Sequence, residues 1–267
     1  MPIESSVCLR PISQEEFARL DYQVMHHAFD SQNELGRLCE EIIYRNDLAA
    51  RLENAELGSV RKEVPVTVRY QDFAKTDRID LVVGDAAIYE LKTELRLVPE
   101  HEAQLLTYLF LEEAHHGKLV NFRPAQVESK SINTSLTMRE RRRVEVDMRR
   151  WRAVGKACKR IAAILVDLFN DWGAFLELSL YQEALTHFLG GEANVLRLLP
   201  LKRNGVPLGN QRFHLASSET AFRLTALTGS TEHFETQLRC LLAHSPLRAI
   251  QWINFAGHQV QFVTVTR

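Results

Sequence analysis

Three short strings carry the residues best suited to chemistry: Asp80, then Glu90-Leu91-Lys92 after nine intervening residues, then Gln104 and Tyr108 one helical turn apart. An acid, an E-x-K triplet in an apolar setting and a Q-x-x-x-Y pair are the parts of a site for metal-assisted phosphodiester cleavage. Magnesium is a hard ion that prefers oxygen ligands and keeps several waters, so two or three carboxylates suffice to hold it. Carboxylates crowded together repel, which raises their proton affinity unless a cation is present. Lys92 would supply a positive group beside the charge that develops on the phosphate, or a base if burial lowered its pKa. The sequence leaves both roles open.

This chemistry requires the side chains to share one face. Val64, Val66, Val68 and Tyr70 alternate with polar residues, Ile79, Leu81 and Val83 do the same, and residues 86–91 form a short apolar run, so three strands are expected. Side chains two apart on a strand point the same way, which puts Glu90 and Lys92 together and turns Tyr89 and Leu91 to the other side. The loop between the second and third strands decides where Asp80 sits. A three-residue loop, Gly84 to Ala86, sets Asp80 opposite Glu90; a two-residue loop would set it opposite Tyr89 and split the carboxylates. The three-residue loop is expected. Pro99 and Glu100 then open a helix, with His101 at its start and Gln104 and Tyr108 stacked on one face. Residues 118–122 read as a fourth strand, with Asn121 near its end. Upstream, residues 22–52 are amphipathic but interrupted at Leu35-Gly36, which predicts two helical pieces, the second carrying Glu41 and Tyr44.

The order helix, three strands, helix, strand, together with these motifs, resembles the PD-(D/E)XK nuclease superfamily, whose fold is the restriction-endonuclease-like α/β core. The likeness is to its GxxExxY group, whose helix motif lines up with Leu38, Glu41 and Tyr44; Leu38 stands where the group has its glycine. The strings HEAQLLTYL (101–109) and LVNF (119–122) are similar to that group, and the Q-x-x-x-Y is similar to the RecB-like branch. The resemblance covers roughly residues 20–125. It implies a divalent metal, Mg2+ or Mn2+, held by Asp80 and Glu90 with the Leu91 carbonyl and Glu41. It also implies a water oriented by Lys92, with Gln104 and Tyr108 holding substrate or the lysine. The expected activity is hydrolysis of DNA, with RNA left open. The rival expectations are an inactive nucleic-acid-binding protein and a protein-interaction scaffold on the same fold.

The second half of the chain repeats the first. Residues 101–127 placed on 234–260 without a gap give eight identities in 27 positions, among them Gln104 on Gln237, Asn121 on Asn254 and Phe122 on Phe255. Residues 35–48 fall on 172–185, matching Gly36 to Gly173 and Tyr44 to Tyr181, and residues 78–81 fall on 212–215. A long unit present twice reads as domain duplication. The copy lacks the chemistry: Glu41 becomes Leu178, Asp80 becomes His214, Glu90 becomes Arg223, Lys92 becomes Thr225 and Tyr108 becomes Leu241. The expected organisation is a nuclease-like domain at 1–130, a basic linker at 131–155, and a degenerate repeat at 156–267 that forms an intramolecular pseudo-dimer.

Between Arg139 and Arg160 lie ten basic and three acidic residues, against a net charge of −1 for the whole chain. Such a basic strip suits a phosphate backbone, with Arg141, Arg142, Arg143, Arg149 and Arg150 as contacts and Trp151 for base stacking. With 267 residues, 45% of them hydrophobic, there is room for two modest cores. The four cysteines are scattered without a C-x-x-C pair, so neither a zinc site nor a disulfide framework is indicated and a cytoplasmic setting is expected. No run of 18 apolar residues is present. The longest apolar stretch, 161–169, reads as a core helix.

Overall fold

Helix α1 (Gln14–Leu35) stops at Gly36, whose φ of 73° suits a residue without a Cβ, and α2 (Glu41–Asn54) begins five residues later. Ser13 caps α1, its hydroxyl accepting the Glu16 N–H while the Glu16 carboxylate accepts the Ser13 N–H. Strands β2 (Val60–Tyr70), β3 (Phe73–Val83) and β4 (Ala87–Lys92) follow, then α3 (Pro99–Leu111) and β5 (His116–Asn121). The computed structural model describes residues 3–267, and the chain divides into two units, Met1–Thr137 and Met138–Arg267.

The first unit has one sheet of order β1-β2-β3-β4-β5-β6. Its edge strands are β1 (Ile3–Ser5) and β6 (Glu128–Asn133). β1 is too short to show a pattern, and β6 is a mostly polar edge strand without the apolar alternation that marks a strand in sequence. β4 and β5 are parallel, and α3 provides the crossover between them. Tyr44, Leu48 and Leu52 of α2 meet Leu81, Tyr89, Leu91, Val120 and Phe122 of the sheet in a buried core. On the other face α3 lies close to β5: a Cβ on Gly117 would come within 3.0 Å of the Ile88 carbonyl oxygen and of Leu105 Cδ1.

The turn that sets the site has the expected length. Gly84 and Asp85 both have positive φ, 65° and 47°, and the Ala86 N–H donates to the Val83 carbonyl at 3.2 Å. That turn suits the twist of a hairpin. Pairing runs Val83 with Ala87, Val82 with Ile88 and Leu81 with Tyr89, so Asp80 falls opposite Glu90 in the same register.

The second unit contains α4 (Met138–Arg141), β7 (Glu145–Arg150), α5 (Lys156–Trp172), α6 (Leu178–Phe188), α7 (Glu192–Val195), β8 (Leu196–Arg203), β9 (Val206–Ser217), β10 (Thr220–Thr225), α8 (Glu232–His244), β11 (Ala249–Ala256) and β12 (Gln259–Thr266). The stretch 131–155 therefore carries regular structure where a linker is expected. It holds the end of β6, then α4, then β7, which joins the second sheet in parallel with β12. The density of arginine masks β7 in the sequence, yet Val146 and Met148 alternate there with charged residues. The apolar stretch at 161–169 lies in α5, with Ile161, Leu165, Leu168 and Phe169 buried.

The second sheet has the order β7-β12-β11-β10-β9-β8, and here too a parallel pair, β10 with β11, is bridged by one helix and flanked by antiparallel strands. Particular bonds recur in both units. The Tyr44 hydroxyl donates to the Gly36 carbonyl at 2.6 Å, and the Tyr181 hydroxyl to the Gly173 carbonyl at 2.6 Å. Asn121 accepts the Glu94 N–H and donates to the Glu94 carbonyl; Asn254 does both with Leu227. One correspondence shifts. His214 pairs with Phe222, so the residue in register with Arg223 is Phe213, and it is Phe213 rather than His214 that stands where Asp80 stands relative to Glu90.

Candidate active site

Asp80 and Glu90 are both buried, with relative exposures of 6% and 2%. Such burial penalises the charged form unless partners are supplied. Asp80 has them: Oδ1 accepts from Arg45 Nη1 at 2.8 Å, and Oδ2 accepts the Leu91 N–H at 2.8 Å. Glu90 is served on one side only. Its Oε1 accepts from Lys92 Nζ at 2.7 Å, whereas Oε2 is buried without a hydrogen-bond partner. Burial, followed by the charge of Asp80, pushes the Glu90 carboxyl up to about 8, with Lys92 opposing. Burial and then Asp80 also raise Glu41, which stands at the start of α2. Desolvation works against the Lys92 charge, yet its contact with Glu90, followed by Glu41, holds the ammonium above the ordinary lysine value.

Two members of this cluster were not apparent in the sequence. Arg45 lies one helical turn after Glu41 on α2 and bridges Asp80 to Glu63, whose Oε1 is 2.5 Å from Arg45 Nη1. Glu63 falls opposite Asp80 in the β2–β3 register and takes a φ of 52° in mid-strand. A left-handed conformation at a residue with a side chain costs roughly 1–2 kcal/mol and recurs at functional sites. The i,i+4 spacing of Glu41 and Arg45 is a signal that could have revealed the first. Nothing short of the strand register reveals the second.

The Q-x-x-x-Y pair forms a chain of its own. Gln104 Nε2 donates to the Tyr108 hydroxyl at 3.2 Å, and that hydroxyl donates to the Arg78 carbonyl at 3.3 Å, fixing α3 to β3. Tyr108 is buried, and its phenol is held well above its ordinary pKa by desolvation and then by Glu90. His101 Nδ1 takes the Val98 N–H at 3.4 Å, and burial lowers its pKa.

Among the described residues no three His, Cys, Asp or Glu side chains converge into a ready metal cage. At Asp80 and Glu90, Arg45, the Leu91 N–H and Lys92 take three of the four oxygens. The donor set is nonetheless of the kind a hard divalent ion prefers, and the partnerless buried Oε2 of Glu90 is an acceptor that lacks a positive group.

The basic strip is divided by the structure. Arg141 is 1% exposed and donates to the Trp172 carbonyl at 3.1 Å, so it belongs to the core of its unit and is corrected here from a nucleic-acid contact to a structural residue. Arg142 donates to the Asp171 carbonyl, Arg149 pairs with Asp147 and Arg150 with Glu235, all with exposed guanidinium groups. Arg143 is exposed, and Trp151 packs its ring edge-on against Phe262 at 5.2 Å. No described helix is long and apolar enough to cross a membrane.

No curated protein matches the chain. The crystal structure of SSO0001 shares 20% sequence identity over 47% of this chain and 79% of its own, with a TM-score of 0.28. Residues 18–133, from within α1 to the end of β6, match the model of the PD-(D/E)XK nuclease superfamily.

Proposed function

We propose that the first unit is a nuclease that hydrolyses DNA with the help of Mg2+ or Mn2+. One observation carries this reading: two buried carboxylates and a lysine converge on one face, and one inner carboxylate oxygen is left without a partner. Asp80 and Glu90 would hold the ion, joined by Glu41 and the Leu91 carbonyl. When bound, the ion polarises the phosphate and lowers the pKa of a coordinated water. Lys92, kept positive by Glu90 and Glu41, lies where it can steady the attacking water and the charge growing on the phosphate. Gln104 and Tyr108 brace the wall of the site through Arg78. Arg45 neutralises the charge of Asp80 in the metal-free protein. DNA, rather than RNA, is proposed from the resemblance to the GxxExxY and RecB-like groups. Cleavage of labelled DNA that needs the divalent ion and is lost in Lys92→Ala, while DNA binding persists, would support the reading. Binding without any cleavage in the parent protein would replace it with a non-catalytic binding module.

We further propose that the second unit is a degenerate copy of the first and supplies a surface for the phosphate backbone. The shared element order, the recurring Tyr–Gly and Asn loop bonds, and the loss of every charged site residue support the duplication. By strand register and the helix alignment, Glu41, Arg45, Asp80, Glu90 and Lys92 meet Leu178, Gln182, Phe213, Arg223 and Thr225. The bonds that shape the fold survive in the copy, and those that would bind a cation do not.

A further inference from the structure

Two loops adjoin the candidate site. Residues 36–40 lead directly into Glu41, and residues 93–98 leave directly from Lys92. Leu38 and Leu95 on these loops are 81% and 88% exposed, more than any other large hydrophobic residue among those described. Each has an exposed arginine as its chain neighbour, Arg37 and Arg96, and neither arginine has an ion pair among the described residues. The backbones of both loops are clamped. Arg123 donates to the Arg37 carbonyl at 2.9 Å, the Cys39 carbonyl at 3.3 Å and the Thr93 carbonyl at 3.1 Å, binding one loop to the other with a single guanidinium. Asn121 adds two bonds to Glu94 of the second loop.

We infer that this clamped rim is the site's grip on an unpaired nucleic-acid strand. Leu38 and Leu95 lie against the faces of unstacked bases, and Arg37 and Arg96 contact the flanking phosphates. The inference rests on the nuclease reading above and deepens it by naming the form of substrate. A paired duplex keeps its base faces stacked, and reaching them costs about a few kcal/mol of unstacking per step, whereas an unpaired strand or a frayed end presents both the base faces and the charge the rim matches. The first unit is otherwise acidic, with 15 basic and 23 acidic residues, so two unpaired arginines at the mouth of the site are a local exception. Arg123 is a positioning residue that fixes the spacing of the two tips. The second unit provides an internal comparison. At the positions set by Gly173 and Asn254 it keeps the asparagine bonds but carries Ala174, Thr228, Gly229 and Ala256 in place of Arg37, Leu95, Arg96 and Arg123. Both arginines, Leu95 and the clamp are lost together with the charged site, while Phe175, packed against His258, stands where Leu38 does.

The test is fluorescence anisotropy of the full chain in EDTA, where no cutting occurs, with a fluorescein-labelled 20-nucleotide single strand and its perfectly paired duplex. Leu38→Ser/Leu95→Ser is expected to weaken single-strand binding about tenfold and to leave duplex binding within about twofold, with an unchanged melting temperature. Arg37→Ala/Arg96→Ala should flatten the salt dependence of single-strand binding by a slope of about 1.4. Arg123→Ala should reproduce the loss seen with the leucine variant, and Arg123→Lys should restore only part of it, since one ammonium cannot span three carbonyls. Unchanged single-strand affinity in the leucine variant, or an equal loss for both probes, would overturn the inference. Because the readout is binding without metal, a parent that binds as described but never cleaves would refute the nuclease reading and leave the rim standing.

Discussion

On the proposed function, Arg45 sets the charge of the candidate site in the metal-free protein. It is nearly buried and neutralises Asp80, which is itself nearly buried, so removing it leaves a carboxylate with only the Leu91 N–H as partner. Loss of one member of a buried ion pair costs roughly 3–5 kcal/mol. Arg45→Gln is therefore expected to lower the melting temperature of the metal-free protein. It should also enlarge the stabilisation on adding Mg2+, because the ion then supplies the missing charge; calorimetry with and without Mg2+ reads both. A variant that Mg2+ stabilises less than the parent would show that Arg45 helps to hold the ion instead. Glu90 gives the pH dependence. Its folded pKa of about 8 lies above the ordinary 4.5, so its stabilising contribution is complete below 4.5 and is lost as pH rises through about 8. Metal-free protein should lose stability over that window, by at most about 1.4 kcal/mol per pH unit, and Glu90→Gln should remove the slope. The same proton competes with the ion, so Mg2+ affinity measured by titration calorimetry should rise from pH 6 to pH 8. Glu90 and Lys92 share a face by their spacing, and Asp80 joins them through the three-residue turn. Arg45 had only its i,i+4 spacing from Glu41 as a signal, and Glu63 had none, since its contact with Arg45 depends on α2 meeting β2.

At the scale of the element, the site depends on a turn and on a close approach. The turn at Gly84 and Asp85 sets the register that faces Asp80 with Glu90, and its length could be read from the Gly-Asp pair and the strands beside it. The edge strands could not be read: β6 is mostly polar because one side of it meets solvent, and β7 hides an alternation of Val146 and Met148 beneath arginines needed for pairing with Asp147 and Glu235. The close approach is that of α3 to β5. Gly117→Ala would push a methyl against the Ile88 carbonyl and Leu105, shifting α3 and the Tyr108 bond to Arg78, and is expected to destabilise by about 1–3 kcal/mol in chemical denaturation. Tyr44→Phe and Tyr181→Phe test the correspondence of the two units. Each removes the hydroxyl bond to the carbonyl of a helix-ending glycine, Tyr44→Phe also takes the acceptor of the Cys39 N–H, and each is expected to cost about 1–2 kcal/mol. The two losses should add in the double variant, since the residues share no partner.

Across the whole molecule the charge is unevenly divided. The first unit carries a net −8 and the second, with 18 basic and 11 acidic residues, a net +7. On the proposed function, an acidic metal site would need a counterweight to attract a polyanion, and the second unit has the sign to provide it. Arg143→Glu/Arg149→Glu is expected to weaken DNA binding and to lessen its salt dependence. Arg141→Ala should leave the salt slope alone and lower stability instead, because that side chain is interior. The proposed internal repeat rests on matched Gly, Tyr and Asn residues, which hold backbone loops in both units. The one-residue slip at His214 arose because sequence similarity does not register the strand irregularity between Thr220 and Ala221. The measurement that bears most directly on the central claim is cleavage of labelled DNA by the parent, Asp80→Ala and Lys92→Ala proteins, each with Mg2+, with Mn2+ and with a chelator. The account predicts metal-dependent cutting by the parent, none with chelator and none by either variant, with DNA still bound by Lys92→Ala. Cutting that survives in Lys92→Ala, or a parent that binds DNA and leaves it intact under every condition, would contradict it.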